Sequence, residues 1–294
     1  TAHTKNREHL RNAARHLISA RPTAVNLEWA VNRQLEALSV HCRRDRLIKT
    51  SLQTAEAICH EEKLKCRKIG EAGLELIREV SEKKNGEPVN ILTHCNAGWL
   101  ACIDYGTATA PVYLAHDRGI KVHVWVDETR PRNQGARLTT WELKNQVVPH
   151  TLICDNAGGY LMQKGDVDMV ITGSDRTAAN GDVANKTGTY LKALAAKHNN
   201  IPFYVALPAS TIDLSAKEGI ESIPIEERDE KEILYVEGLY KNNMVNARIC
   251  PPGTKALNYG FDITPAELIS ALITEKGICR ADEKEIRNLF SEKY

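Results

Sequence analysis

The hydrophobic pattern of this chain changes its period at residues 83–88, where Asn-Gly and a proline interrupt it. Before this break, from about residue 6 to residue 84, apolar residues recur at helical spacing, with a third helix near 46–66 and a fourth over 72–80. After it, short apolar runs alternate with helical stretches. A chain with this change of period is expected to fold as a helical part followed by a layered α/β part.

Five apolar runs beyond the break predict β-strands, at residues 89–93, 120–126, 151–154, 167–171 and 201–206. Helical stretches separate them, at residues 108–117, 139–146, 157–164 and 188–197. Strands joined through helices form a parallel sheet that is covered on both faces, through right-handed crossovers. We therefore predict an α/β fold with a helical N-terminal domain over 1–86, incomplete at its start, and a Rossmann-like catalytic domain over 87–294.

Composition excludes several classes of function. The 294 residues carry 39 Lys and Arg against 38 Asp and Glu, and no basic stripe stands out, so nucleic-acid binding is not expected. No apolar run approaches the roughly 20 residues that span a bilayer, and the start lacks a signal-peptide pattern, so we expect a cytoplasmic protein without a membrane partner.

The eight cysteines form no C-x-x-C pair and no zinc spacing, which predicts mostly reduced thiols and no metal. The charge run at 226–232 predicts solvated surface.

The most polar stretch that follows a predicted strand is residues 171–190, which runs from an apolar strand end to a predicted helix. Ligands of open α/β sheets bind at the carboxyl ends of strands, and this stretch offers carboxylates, amides and cations for a phosphorylated ligand. Asp175 follows the strand directly and is a candidate acid. Asp182 is a competing acid or a turn-former. Asn185 and Lys186 precede the next helix and are candidates for binding substrate oxygens.

Three other segments contain candidate catalytic or binding residues. Cys95 follows the first strand, where backbone N–H groups can lower its pKa, although a buried inert thiol is the alternative. Gln134 lies among three arginines that suit a phosphate, unless they form a surface salt-bridge loop; these are Arg130, Arg132 and Arg137. Arg21 directly precedes a helix, where capping is the simpler explanation. The scattered histidines, including His94 and His123, are weaker candidates for a base or a metal ligand.

Together these motifs resemble the 5-methylthioribose-1-phosphate isomerases of methionine salvage, in a superfamily with ribose-1,5-bisphosphate isomerase and the regulatory subunits of translation initiation factor 2B. The resemblance covers nearly the whole chain. It includes Arg-Pro-Thr-Ala-Val-Asn-Leu at 21–27, Thr-His-Cys-Asn-Ala-Gly at 93–98, Glu-Thr-Arg-Pro at 128–131, Gln-Gly-Ala-Arg-Leu-Thr at 134–139, Asn-Gly-Asp-Val-Ala-Asn-Lys at 180–186, Ile-Pro-Ile-Glu-Glu-Arg at 223–228 and Asp-Ile-Thr-Pro-Ala-Glu-Leu-Ile at 262–269.

The resemblance implies an aldose–ketose isomerase that acts on a cyclic ribose 1-phosphate. By position, Cys95 and Asp175 match the family's catalytic cysteine and aspartate, and the substrate-binding positions fall on Arg21, Gln134, Asn185 and Lys186. Neither a proton relay through an enolate nor a hydride shift needs a metal or organic cofactor. The same chemistry on 5-deoxyribose 1-phosphate, a ribose-1,5-bisphosphate isomerase, and a regulatory subunit that binds without turnover are the alternatives.

Further expectations come from the resemblance. It implies a homodimer and a sugar phosphate as the partner. The family carries an Arg-Gly-Ala phosphate-binding segment upstream of the region where this chain starts, and the chain contains no match to it. Because there is no initiator Met, we expect that an upstream piece was left out. Ser174 and Tyr259-Gly260 depart from the family's usual Ala and Pro-Ala, with expected effects on packing or specificity.

Overall fold

The computed structural model describes residues 2–39 and 43–291, so Cys42 lies outside the described residues. The helices are α1 (Ala2–Ile18), α2 (Val25–Ser39), α3 (Arg44–Lys83), α4 (Trp99–Cys102), α5 (Ala110–Asp117), α6 (Thr140–Asn145), α7 (Ala157–Lys164), α8 (Thr189–His198), α9 (Gly219–Ser222), α10 (Lys231–Leu234) and α11 (Glu283–Phe290). The strands are β1 (Val89–Thr93), β2 (Val122–Asp127), β3 (His150–Ile153), β4 (Met169–Thr172), β5 (Arg176–Ala178), β6 (Val183–Lys186), β7 (Phe203–Ala206), β8 (Ile212–Asp213), β9 (Tyr235–Tyr240), β10 (Asn243–Arg248), β11 (Phe261–Thr264), β12 (Ala271–Thr274) and β13 (Gly277–Cys279). Short 3₁₀ turns cover Ala209–Thr211 and Ala266–Leu268, and a π-helical turn covers Gly135–Thr139.

The central sheet has seven strands in the order β13-β12-β7-β4-β1-β2-β3. Six are parallel, and β13 pairs antiparallel with β12 at the edge. The chain runs outward from β1 to β3 and returns to place β4 beside β1. The order of strands therefore reverses between β1 and β4, and a crevice opens at their carboxyl ends.

Both faces of this sheet are buried, which confirms the predicted α/β fold. Successive residues of a strand face opposite sides, so Ile91 packs into the cluster with α3 and α5, whereas Leu92 packs with α7, α8 and α11. The two neighbours are completely buried. Burial on both faces explains why the parallel strands are nearly continuous apolar runs. No helix of the described ranges is both long enough and apolar enough to cross a membrane.

The prediction of separate third and fourth helices was wrong, because α3 is one continuous helix of 40 residues. Gly70 and Gly73 interrupt the sequence pattern without ending the helix. A Cβ on Gly70 would lie 2.9 Å from the Cβ of Ala110, and one on Gly73 would lie 2.5 Å from Cγ of Pro111. These glycines therefore let α5 pack directly against the α3 backbone.

Residues 171–190 contain two strands that the sequence pattern did not predict. β5 and β6 form a second sheet, in the order β11-β6-β5-β8, beside the carboxyl end of β4. The carboxylate of Asp182 accepts hydrogen bonds from Asn180 Nδ2 at 2.8 Å, Gly219 N at 2.9 Å and Ala266 N at 2.9 Å. Asp182 therefore fixes the turn between β5 and β6, as expected of a turn-former.

Candidate active site

All six residues that were predicted to form the site line one cavity of about 710 Å³. Cys95 follows β1 and Asp175 follows β4, on the two sides of the crevice where the strand order reverses. Asn185 and Lys186 come from the end of β6, Gln134 follows β2, and Arg21 reaches the cavity from the segment before α2. The sequence separation between Arg21 and Asp175 is 154 residues, so only the fold brings them together.

The Cys95 backbone is fixed in a left-handed conformation, with φ of 68°. Its N–H donates to Thr129 Oγ1 at 2.9 Å, and its carbonyl accepts from Thr139 Oγ1 at 2.6 Å. Burial, followed by the nearby Asp175 carboxyl, raises the pKa of the thiol to about 11. The expectation that N–H groups lower this pKa was wrong, since desolvation outweighs them. At neutral pH Cys95 is therefore a thiol.

Asp175 is the acidic group of the cavity. Its N–H donates to Ala184 O at 2.9 Å, and its Oδ1 accepts from Arg21 Nη2 at 3.0 Å. Burial raises the pKa of the carboxyl, and the positive charges of Arg21 and Lys186 oppose that shift only in part. The protonated acid is therefore more accessible here than on an exposed aspartate.

Lys186 and Asn185 are held by the second sheet. Lys186 Nζ donates to Gly260 O at 2.8 Å and lies 4.4 Å from the centre of the Phe261 ring. Burial lowers the pKa of the Lys186 ammonium. Asn185 Nδ2 donates to Thr189 Oγ1 at 2.9 Å, so both side chains have fixed directions at the cavity wall.

Arg21 arrives on a short segment that docks against the sheet part. Arg176 donates to the carbonyl oxygens of Pro22 and Thr23 at 3.0 and 2.9 Å, and Thr23 Oγ1 donates to Pro224 O at 2.8 Å. Helix α2 begins only at Val25. Arg21 therefore contributes an ion pair to the cavity in addition to any role near the helix start.

The three arginines around Gln134 have different surroundings. Arg132 lines the cavity. Arg130 is used structurally, because its guanidinium donates to four backbone carbonyls that include Ile233 O at 2.9 Å. Arg137 pairs with Glu237 at 2.8 Å, and both side chains are about half-exposed. The salt-bridge alternative therefore describes Arg137. Arg132 also lies 3.7 Å from Glu232, but it lines the cavity and is the one of the three left to bind a phosphate.

Gln134 is placed by the π-helical turn that begins at Gly135. A Cβ on Gly135 would lie 1.7 Å from the carbonyl oxygen of Asp127, which is backbone and cannot move aside. We expect Gly135→Ala to lower the free energy of unfolding by about 3 kcal/mol, at the upper end of overpacking effects. Gly238→Ala is the matched control, since nothing lies within 4 Å of its Cβ. Urea unfolding of both variants checks this, and equal stabilities would contradict it.

Two cavity residues were missed, because the charge run at 226–232 was expected to be solvated surface. The Glu226 side chain is only 9% exposed and accepts from Thr23 N at 3.3 Å. Arg228 pairs with Glu226 at 3.3 Å and with Glu232 at 2.9 Å. Glu226 and Arg228 both line the cavity. The Ile-Pro-Ile-Glu-Glu-Arg motif could have indicated that these two charges are part of the site, since it places them directly after an apolar segment.

A buried carboxylate supports the loop after Cys95. Glu142 is fully buried and accepts from Asn96 Nδ2, Trp99 N and Tyr113 Oη at 2.9 Å each and from Leu100 N at 3.0 Å. We expect Glu142→Ala to cost about 3–5 kcal/mol of unfolding free energy, because four donors, among them the buried Tyr113 hydroxyl, lose a fully buried acceptor.

Glu71→Ala is the control for that variant, because Glu71 forms an exposed i,i+4 pair with Arg67. Such pairs contribute about 0–1 kcal/mol. Chemical denaturation of the two variants provides the measurement. A loss below 1 kcal/mol for Glu142→Ala would show that the loop does not depend on this carboxylate.

Within the described ranges, one group of three potential metal ligands lies close together, formed by His94, Asp127 and Asp155. Lys192 Nζ lies 3.1 Å from Asp127 Oδ2 and also donates to the backbone carbonyl of Asp155. The cluster therefore already contains a cation that belongs to the protein, and its geometry favours charge pairing over a metal ion.

Known proteins match this chain over nearly its whole length. The model of the initiation factor 2 subunit family matches residues 2–281. Methylthioribose-1-phosphate isomerase from Desulfatibacillum aliphaticivorans is 57% identical over 286 residues, which cover 97% of this chain and 78% of that protein. The enzyme of the same name from Gluconobacter oxydans is 55% identical over 287 residues, with 97% and 78% covered.

Solved structures agree in fold. The crystal structure of 5-methylthioribose 1-phosphate isomerase from Pyrococcus horikoshii has a TM-score of 0.80 and 38% identity, covering 95% of this chain and 74% of that one. The structure of translation initiation factor eIF-2B, subunit delta, from A. fulgidus has a TM-score of 0.77 and 39% identity, covering 98% and 80%. With a family model and close relatives matching almost every described element, this chain belongs to the initiation factor 2 subunit family.

Proposed function

We propose that this protein is an aldose–ketose isomerase that converts 5-methylthioribose 1-phosphate to 5-methylthioribulose 1-phosphate in methionine salvage. The observation that carries the proposal is the placement of the Cys95 thiol and the Asp175 carboxyl in one cavity, at the ends of the adjacent strands β1 and β4. Relatives of 52–57% identity carry the corresponding enzyme name. The cations Arg21 and Lys186 beside the same cavity suit an anionic substrate.

The proposed chemistry assigns a role to each group. A phosphate on the anomeric oxygen prevents ordinary opening of the sugar ring, so an acid must protonate the ring oxygen while its bond to C1 breaks. Asp175 supplies that proton, and burial keeps it available. Hydrogen then moves from C2 to C1 by one of two routes. In the enolate route the Asp175 carboxylate left by ring opening takes the C2 proton, the Cys95 thiol protonates C1, and the resulting thiolate takes the proton of the C2 hydroxyl. In the hydride route the C2 hydrogen moves to C1 with its electron pair, and the Asp175 carboxylate takes the proton of the C2 hydroxyl. Gln134 and Asn185 would hold sugar oxygens.

Direct assay tests the proposal. The full chain is incubated with 5-methylthioribose 1-phosphate and, separately, with 5-deoxyribose 1-phosphate, and the ketose product is followed by NMR. We expect turnover of the methylthio sugar with the larger kcat/KM, since Leu27, Ile58 and Leu100 add apolar surface to the cavity. Binding of both sugars without turnover of either would contradict the isomerase and favour a regulatory subunit.

We further propose a cytoplasmic homodimer in which residues 1–86 form a helical N-terminal domain, with α3 packed on the sheet of the catalytic domain over 87–294. Exposed apolar side chains on the packed helices α7 and α8 support self-association; they are Tyr160, Leu191 and Leu194. Light scattering coupled to size-exclusion chromatography measures the mass directly. A monomer at micromolar concentration would contradict the dimer.

A further inference from the structure

His94 is a buried histidine that the proposed chemistry does not use. It lies between the last residue of β1 and Cys95, and its side chain is fully buried. Its Nδ1 lies 2.8 Å from Asp127 Oδ2, and its Nε2 lies 2.9 Å from the backbone carbonyl of Thr187. Thr187 directly follows Lys186. The imidazole therefore connects the ends of β1, β2 and β6.

Both ring nitrogens of His94 face oxygens that accept. The Thr187 carbonyl has no proton to donate. Asp127 Oδ2 also faces Lys192 Nζ at 3.1 Å, which holds this carboxylate in place. Each ring nitrogen therefore lies within hydrogen-bond distance of an oxygen at the end of a different strand.

The chain is shaped to allow this contact. Gly188 has φ of 108°, and a Cβ there would lie 3.0 Å from His94 Cε1. The carboxylate of Asp262 accepts from Gly188 N at 2.6 Å and Tyr190 N at 3.2 Å, which fixes the turn after Lys186. A side chain at residue 188 would push this turn away from the imidazole.

We propose that His94 is a positioning residue, whose imidazole bridges Asp127 and the Thr187 carbonyl and thereby fixes Lys186 relative to Cys95. The inference rests on the proposed function, because it gives Cys95 and Lys186 their roles at the substrate. His94 acts through its neighbours in the chain: one hydrogen bond anchors the Cys95 side to β2, and the other anchors the Lys186 side. A displacement of about 1 Å between such groups costs about 10²-fold in rate.

Kinetics of His94→Gln tests the role. Glutamine can donate to one of the two acceptors and cannot span both, so we expect kcat/KM for the sugar phosphate to fall about 10²-fold. His123→Gln is the control, since His123 bonds only the Thr151 side chain among described contacts and lies outside the cavity, and we expect less than a twofold change. A near-normal His94→Gln enzyme would overturn the proposal.

A double-mutant cycle separates an effect of His94 that acts through the position of Lys186 from an effect on the stability of the whole site. In a Lys186→Gln background, His94→Gln is expected to cost less than threefold, because the group that it positions is gone. A full 10²-fold loss in that background would show that His94 does not act through Lys186 and would overturn the proposal.

The bridge is also measured on the wild-type chain, which keeps the proposal testable if the variant does not fold. Imidazole ¹⁵N spectra are expected to show a slowly exchanging proton on Nε2 of His94, the nitrogen that faces the Thr187 carbonyl, and an Nε2 without this proton would overturn the bridge. If the wild-type chain turns over neither sugar phosphate, the proposed function fails, and the bridge is then decided by these spectra.

Discussion

Asp175→Asn is expected to lower kcat about 10³-fold, within the range that a positioned general acid contributes. Asparagine keeps the size of the side chain and can still meet Arg21, but it has no proton to give to the ring oxygen. KM is expected to change by less than about threefold if binding depends mainly on the surrounding cations. Steady-state kinetics with the methylthio sugar checks both values, and a kcat within tenfold of wild type would remove Asp175 from the proton transfer.

The same substitution is expected to change the pH dependence of stability. Burial raises the pKa of Asp175 above its ordinary value of 3.8, so the folded state holds this proton more tightly than the unfolded chain does. The wild type therefore loses stability as pH rises through the raised pKa, whereas asparagine does not titrate. The free energy of unfolding of Asp175→Asn should exceed that of wild type at pH 8, and the difference should vanish below the ordinary pKa. A variant less stable at pH 8 would contradict this.

Cys95→Ala is expected to lower kcat by about 10³-fold as well, because the thiol is the group placed to give a proton to C1 of the sugar. Cys154→Ala is the matched control, since that thiol is exposed and lies outside the cavity. Cys95→Ser adds a second test, because a hydroxyl of similar size holds its proton more tightly, and we expect it to remain at least 10²-fold below wild type.

The pH profile provides an independent check on Cys95. Its pKa is raised to about 11, so the neutral thiol persists through the physiological range. If the thiol form is needed, its ionisation contributes no fall in kcat until the pH approaches 11. A loss of activity assigned to Cys95 near pH 8 would show that the enzyme uses a thiolate of lower pKa.

The parallel strands could be predicted from the sequence because burial on both faces makes each of them a nearly continuous apolar run. Each of the five predicted strands was confirmed with ends that differ by at most two residues, as for the run at 120–126 and the observed Val122–Asp127. β5 and β6 were missed because strands of three and four residues with polar and small side chains carry no clear period. The continuity of α3 depends on close packing against α5, which local propensity does not show.

The candidate site was predictable to a similar degree, since residues after adjacent parallel strands meet at one edge of the sheet. This argument brings Cys95 and Asp175 together without any knowledge of side-chain packing. It does not reach Glu226 and Arg228, because their burial depends on docking of the segment around Thr23. The direction of the Cys95 pKa also required the structure, since desolvation by distant parts of the chain outweighs the local N–H groups.

The docked segment before α2 has a consequence for how the protein acquires activity. Arg21 meets Asp175 across 154 residues of sequence, so this contact closes a much larger loop than the pairing of neighbouring sheet strands. Contacts of such high sequence separation form slowly, because chain entropy is lost before the contact stabilises the fold. In refolding from denaturant, recovery of turnover should therefore lag behind recovery of the circular dichroism of the sheet.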